Sequence, residues 1–153
     1  MNIEQIYDKN EKREIARTVL EALPDWFAIE ESRETYIADS ALQILIAAKQ
    51  DEEPVGFLCL SETGKDTVEL CVMGVLKKYH RQGIGKKLFA KAKDIARESG
   101  YSFMQVKTVS MGHYEDYDKT NLFYISVGFK EFEMFPTLWD KANPCQVYVM
   151  SLN

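Results

Sequence analysis

The chain has 153 residues, of which 46% are hydrophobic and 28% charged, so it is the size of one domain with a real core, and a disordered, collagenous or coiled-coil chain is excluded. Its formal net charge of -5 argues against general affinity for nucleic acid or for an anionic membrane. Cys59, Cys71 and Cys145 are too widely and irregularly spaced for a zinc motif, and neither an apolar leader nor a membrane-length apolar run is present, so a single cytoplasmic domain over 1–153 with reduced thiols and no metal is expected.

Asn2 to Tyr7 reads as an edge strand. Glu11 to Leu23 carries Ile15, Val19, Leu20 and Leu23 at helical spacing, with Pro24 ending the run. A short second helix is expected around Ser32 to Asp39, after the aromatic pair Trp26 and Phe27. The segments ALQILIAAK, PVGFLCLSE and TVELCVMGV are then β-rich, with short links that predict an antiparallel meander. After Val75 the loop LKKYHRQ leads into GIGKKLFAKAKDIARESG, whose Ile84, Leu88, Phe89, Ala92, Ile95 and Ala96 mark one helical face and whose Gly100 supplies the stop. YSFMQVKTV predicts a strand, TNLFYISVG a short helix closed by Gly128, and FKEFEMF and CQVYVMSL the last two strands. That order predicts a mixed α/β sheet with helices on its faces.

Charge is unevenly spread along this order. No acid falls between Leu70 and Lys93, where Lys77, Lys78, Arg81, Lys86, Lys87, Lys91 and Lys93 supply 7 of the 19 basic residues; the other 12 face all 24 acids, a net of -12. The stretch is either a local anion site or a helix with its loop exposing solvated lysines. A strand ending at Val75 and a helix beginning near Gly83 would bring unpaired backbone N–H groups and the positive helix end together, as a pyrophosphate requires. Gly83 and Gly85 would let phosphate oxygens approach the main chain closely. A P-loop is excluded by His80 and Lys87 at its glycine and hydroxyl positions, and a dinucleotide fingerprint by Leu88 at its third glycine.

VMGVLKKYHRQGIGKKL resembles motif A of the GNAT N-acetyltransferase superfamily, a strand followed by a loop that caps the central helix, and FYISVGF resembles its motif B. The resemblance runs from about Leu42 onward. It implies a GNAT fold: a mixed, mostly antiparallel sheet of six or seven strands flanked by about four helices, with the fourth and fifth strands splayed. It further implies that acetyl-CoA is the cosubstrate. Its pyrophosphate would be held by the backbone from Arg81 through Gln82, Gly83, Ile84 and Gly85 to Lys86, and its pantetheine arm by the main chain of Met73, Gly74 and Val75. His80 stands where the family has Arg or Gln. The family's motif B asparagine would fall at Tyr117, while Asn121 lies one turn before the tyrosine and is the expected cofactor contact.

By the same resemblance Tyr124 would protonate the departing thiolate, its place in FYISVGF favouring that role over a packed aromatic, and Glu69 would either deprotonate the incoming amine or be an exposed strand carboxylate. Trp26, Phe27 and Tyr36 either line the acceptor pocket or belong to the core. Trp139 either packs a turn over the sheet or borders the acceptor site. His113 and the acids Glu115, Asp116 and Asp118 read as a solvated loop. The expected function is transfer of an acetyl group to a primary amine of a small metabolite by direct attack. The alternative is a non-catalytic acetyl-CoA sensor, which would need neither Tyr124 nor Glu69. No nucleic-acid or membrane partner is expected, and the exposed sheet edges are compatible with a homodimer.

Overall fold

The computed structural model describes residues 1–153. In chain order it has β1 (Asn2–Ile6), α1 (Lys9–Glu21), α2 (Glu30–Ser40), β2 (Ile44–Gln50), β3 (Glu53–Gly64), β4 (Thr67–Val75), a 3-10 turn (Lys77–Tyr79), α3 (Ile84–Glu98), β5 (Phe103–Val109), α4 (Glu115–Ser126), β6 (Lys130–Asp140) and β7 (Asn143–Ser151). The seven strands form one sheet in the order β1-β2-β3-β4-β5-β7-β6. β1–β2, β2–β3, β5–β7 and β6–β7 pair antiparallel, and β4–β5 pair parallel. The expected mixed sheet with four helices is therefore present. The parallel register runs from Thr67–Phe103 to Leu70–Val106; β4 continues five residues past its last pair and β5 three.

The chain forms two compact units, residues 1–61 with 71–95 and residues 62–70 with 96–153. In the first, Asp8 caps α1 by accepting from the Glu11 amide at 2.8 Å, and Ile15, Ala16, Val19 and Leu20 are buried from one face of that helix. With Leu45, Ala47, Phe57, Cys59 and Val72 they make the core cluster, each fully buried branched side chain contributing roughly 1.5–3 kcal/mol. Desolvation there raises the Cys59 thiol pKa far above its ordinary value, so Cys59 is an inert packing residue. α1 packs closely on β4 because position 74 is glycine: a Cβ there would stand 2.9 Å from Leu23 Cδ1 and 3.1 Å from Val19 Cγ1.

In the second unit both glycine stops form as predicted. The Gly100 amide bonds Arg97 O and the Tyr101 amide reaches back to Ala96 O, a Schellman pair around a left-handed glycine. The Gly128 and Phe129 amides repeat the pattern on Ile125 O and Tyr124 O. Two expected boundaries move. α4 starts at Glu115, five residues before Thr120, so the acids Glu115, Asp116 and Asp118 form its first turn and not a loop. Acids are favoured there by the positive helix end. β6 runs on through Pro136 to Asp140, so Trp139 lies on a strand rather than on a turn over the sheet. The register of Glu133–Val147, Met134–Gln146 and Phe135–Cys145 would next place Pro136 opposite Pro144, two residues with no N–H, and the ladder lapses there until Asp140–Asn143.

Candidate functional site

The first unit builds a loop between β4 and α3. The Leu76 amide bonds Val55 O at 2.9 Å and ends the strand, the 3-10 turn follows, and His80 returns to place Nε2 2.6 Å from Val75 O. A carbonyl only accepts, so Nε2 carries the hydrogen. Arg81 then adopts φ 63° and Gly83 φ 78°, two left-handed residues flanking Gln82. For a side-chain-bearing residue this conformation costs roughly 1–2 kcal/mol, and such strain concentrates at ligand sites. Alternation of this kind turns successive amides into one concavity. The first i→i−4 bond of α3 is Lys87 N to Gly83 O at 3.1 Å, so the amides of Ile84, Gly85 and Lys86 precede the helical ladder and face the positive end of the helix. Nothing stands within 4 Å of a Cβ built at Gly83, while Lys77, Lys78, Arg81, Lys86 and Lys87 are all exposed. The Gln82 side chain folds back to donate to Lys78 O at 3.1 Å.

Trp26 meets the His80 ring edge-on at 5.9 Å, and Lys77 stands over the Trp26 ring and pairs with Asp25. Trp26 and Phe27 pack against the core cluster, and Phe27 meets Tyr36 edge-on at 5.9 Å. Of the three aromatics expected at an acceptor pocket, Tyr36 is the exposed one. Arg33, which no sequence signal singles out, donates Nη1 to Phe27 O at 3.2 Å and so ties α2 to the aromatic loop. On β4, Val68, Leu70, Val72 and Gly74 are buried while Glu69, Cys71, Met73 and Val75 are half-buried, so Met73 and Val75 share a face with Glu69. The glycine at 74 answers to helix packing, and the Val75 carbonyl is already bound by His80.

In the second unit Glu69 pairs in register with Gln105. Its Oε1 accepts from Gln105 Nε2 at 2.9 Å and forms an ion pair with Lys107 at 3.1 Å. Lys107 is a partner that sequence reasoning misses, because cross-strand neighbours depend on a register that spacing does not supply. Burial pushes the Cys145 thiol pKa up, Lys107 opposes the shift and Glu69 adds to it. Tyr124 is buried on α4, its ring edge-on to Phe123 at 5.9 Å and Phe129 at 5.7 Å and tilted against Tyr148 at 6.4 Å. Asn121 requires a correction. Its side chain is fully buried, donates from Nδ2 to Val109 O at 2.8 Å and to Tyr117 O at 2.7 Å, and accepts from the Tyr148 hydroxyl at 2.6 Å. Both amide hydrogens are committed within the protein, so Asn121 fixes α4 on β5 and β7 and presents none to a cofactor. His113 is exposed, and Asp118 accepts from the Gly112 amide at 2.8 Å. No three His, Cys, Asp or Glu side chains converge in the manner of a metal site, and no helix is long and apolar enough to cross a membrane.

The sequence profile of the acetyltransferase (GNAT) family matches residues 6–116, well over half the chain. The chain belongs to the GNAT acetyltransferase family. Solved structures place this GNAT chain among its relatives by shape. A GNAT-family protein from Desulfovibrio desulfuricans superposes with a TM-score of 0.87 at 17% identity, covering 99% of each chain. An aminoglycoside 6'-N-acetyltransferase complexed with coenzyme A gives 0.75 at 18% identity, covering 100% of this chain and 98% of the other. An IAA acetyltransferase from Bacillus cereus gives 0.73 at 21% identity, covering 98% of each. At such identities the likeness is one of fold. No curated protein sequence matches the chain.

Proposed function

We propose that this GNAT chain is an acetyl-CoA-dependent N-acetyltransferase whose acceptor is a primary amine of a small metabolite. The observation that carries the reading is the loop from Arg81 to Lys86, where two left-handed residues and three amides outside the helical ladder are ringed by exposed lysines and an arginine. That donor set suits a diphosphate better than a single carboxylate or a metal. Acetyl-CoA, when bound, supplies the activated acetyl thioester. The complex of a structural neighbour with coenzyme A, in a chain of the same fold, supports the choice of cosubstrate.

In this reading the amides of Arg81 to Lys86 hold the pyrophosphate. The main chain of Met73 to Val75 lies beside the pantetheine arm, with a β4 amide donating to the acyl oxygen. Tyr124 gives its phenolic proton to the departing sulfur, a suitable exchange because a phenol has a pKa of about 10. Glu69, whose carboxylate is oriented by Gln105 and Lys107, takes a proton from the entering ammonium. Trp26, Phe27 and Tyr36 line the acceptor side. Attack is direct, so no cysteine is acylated. Steady-state thiol release across a panel of amines, beside calorimetry with acetyl-CoA, tests the proposal. Turnover with at least one amine is expected; tight binding with no thiol release from any amine would favour a sensor, and no heat of binding would remove both readings.

A further inference from the structure

Arg33 carries hydrogen-bonding capacity that the chain leaves unused. It is half-buried on α2, its Nη1 donates to Phe27 O at 3.2 Å, and its Nε is shut off from water with no partner at all. No acid pairs with it. Glu30, one turn earlier on the helix, is exposed and does not bridge to it, and Glu34, the next residue, gives both oxygens to Arg17 on α1 at 2.8 Å. Arg17 takes a second carboxylate from Glu21 at 2.9 Å. One arginine of this helix pair thus holds two carboxylates and the other holds none, although the second is the more buried and a buried charge is the costlier one to leave without a partner.

A guanidinium holds its five N–H groups in one plane, and Nε–H lies parallel to an N–H of Nη2 along one edge. With Nη1 turned to Phe27 O, that edge is the one left over, and two parallel donors match the two oxygens of a carboxylate. We propose that the Nε–Nη2 edge of Arg33 takes a carboxylate of the acceptor, so that the amine acetylated belongs to an amino acid or another amino-carboxylate and not to a polyamine or an amino sugar. The inference rests on the transferase reading above and narrows its acceptor.

The surroundings of Arg33 are those assigned to the acceptor. Arg33 and Tyr36 stand three residues apart on α2 and are neighbours on one face of it. Phe27 meets both, its carbonyl bound to Arg33 and its ring edge-on to Tyr36 at 5.9 Å. An ion pair formed beside these rings is less open to water than the Arg17 pairs, whose arginine side chain is 46% exposed, so it is screened less. Water does not reach Nε in the chain as folded, so entry of the acceptor includes a shift of the side chains over it.

Matched amines test this: the standard amino acids, each beside the amine left by its decarboxylation, such as phenylalanine with phenethylamine. Saturation-transfer NMR reads binding of each to the full chain, and thiol release from acetyl-CoA reads kcat/KM. At least one amino acid is expected to bind and to exceed its decarboxylated partner by about tenfold or more in kcat/KM, with the difference in KM. Arg33→Met is expected to bring the two members of that pair within about twofold, and Arg33→Lys, which keeps the charge and loses the fork, to retain only part of the preference. Far-ultraviolet circular dichroism checks that both variants are folded. A wild type that binds no amino acid, or that treats the decarboxylated partners as well or better, overturns the proposal without recourse to a variant. So does a folded Arg33→Met that loses both members of a pair alike and keeps their ratio, since that is the mark of an arginine that only ties the loop to α2. Amino acids that bind through Arg33 with no thiol release would remove the transferase reading and leave this site, whereas thiol release from the decarboxylated amines alone would do the reverse.

Discussion

Gly83→Ala separates the two jobs a left-handed glycine can have. At Gly83 φ is 78° and nothing lies within 4 Å of a new Cβ, so substitution brings no collision, only the cost of the left-handed conformation. That cost is roughly 1–2 kcal/mol. For a chain of this length it lowers the melting temperature by about 2–8 °C. Gly100, beyond the other end of α3, supplies a matched control: φ is 92° and its Cβ position is equally open. The two alanine variants should therefore melt alike. They should part on the ligand, because in the proposed complex the added methyl at position 83 would stand where phosphate oxygens approach the amides of Ile84 to Lys86. Calorimetric titration with acetyl-CoA is expected to show a loss of at least about tenfold in affinity for Gly83→Ala, which is about 1.4 kcal/mol, and less than about twofold for Gly100→Ala. If both variants lose affinity equally, or if Gly83→Ala binds like the wild type, the loop is not the diphosphate site.

Tyr124→Phe keeps the ring contacts and removes the hydroxyl, so kcat should fall by about a hundredfold while acetyl-CoA affinity stays within about twofold; parallel losses would make the residue part of the pocket wall. Asn121→Ala deletes three hydrogen bonds, two of them buried, and should destabilise the chain by about 2–4 kcal/mol, a fall of roughly 5–15 °C in melting temperature. A ligand-contact role would instead leave the melting curve in place and weaken binding. Gly74→Ala presses a methyl onto Leu23 and Val19 and should cost about 1–3 kcal/mol in urea unfolding; a neutral result would mean that α1 can slide on β4.

What is legible in the sequence follows from local physics. α3 is readable because its apolar residues keep helical period over four turns and Gly100 closes it, and the β4–α3 loop because strand, glycines and helix stand side by side in the chain. α4 is half readable: its first turn is Glu-Asp-Tyr-Asp, with no apolar period, and the acids that make it look like a loop are stabilised by the helix end they occupy. The extension of β6 is hidden by Pro136, which an edge strand tolerates on its open side. Residues whose roles depend on register or tertiary contact are the least visible. Nothing near Glu69 in the chain predicts Lys107, two strands meeting only after folding. Asn121 misleads because a polar residue one turn before the tyrosine of FYISVGF looks available, whereas here a buried tyrosine and two carbonyls claim it.

The imidazole brace behind the β4–α3 loop decides which side chains position 80 can carry. His80 holds the end of β4 through an N–H given to the Val75 carbonyl, so whatever stands there must be a donor. A carboxylate, which only accepts, would face that carbonyl with nothing to give and leave the strand end untied.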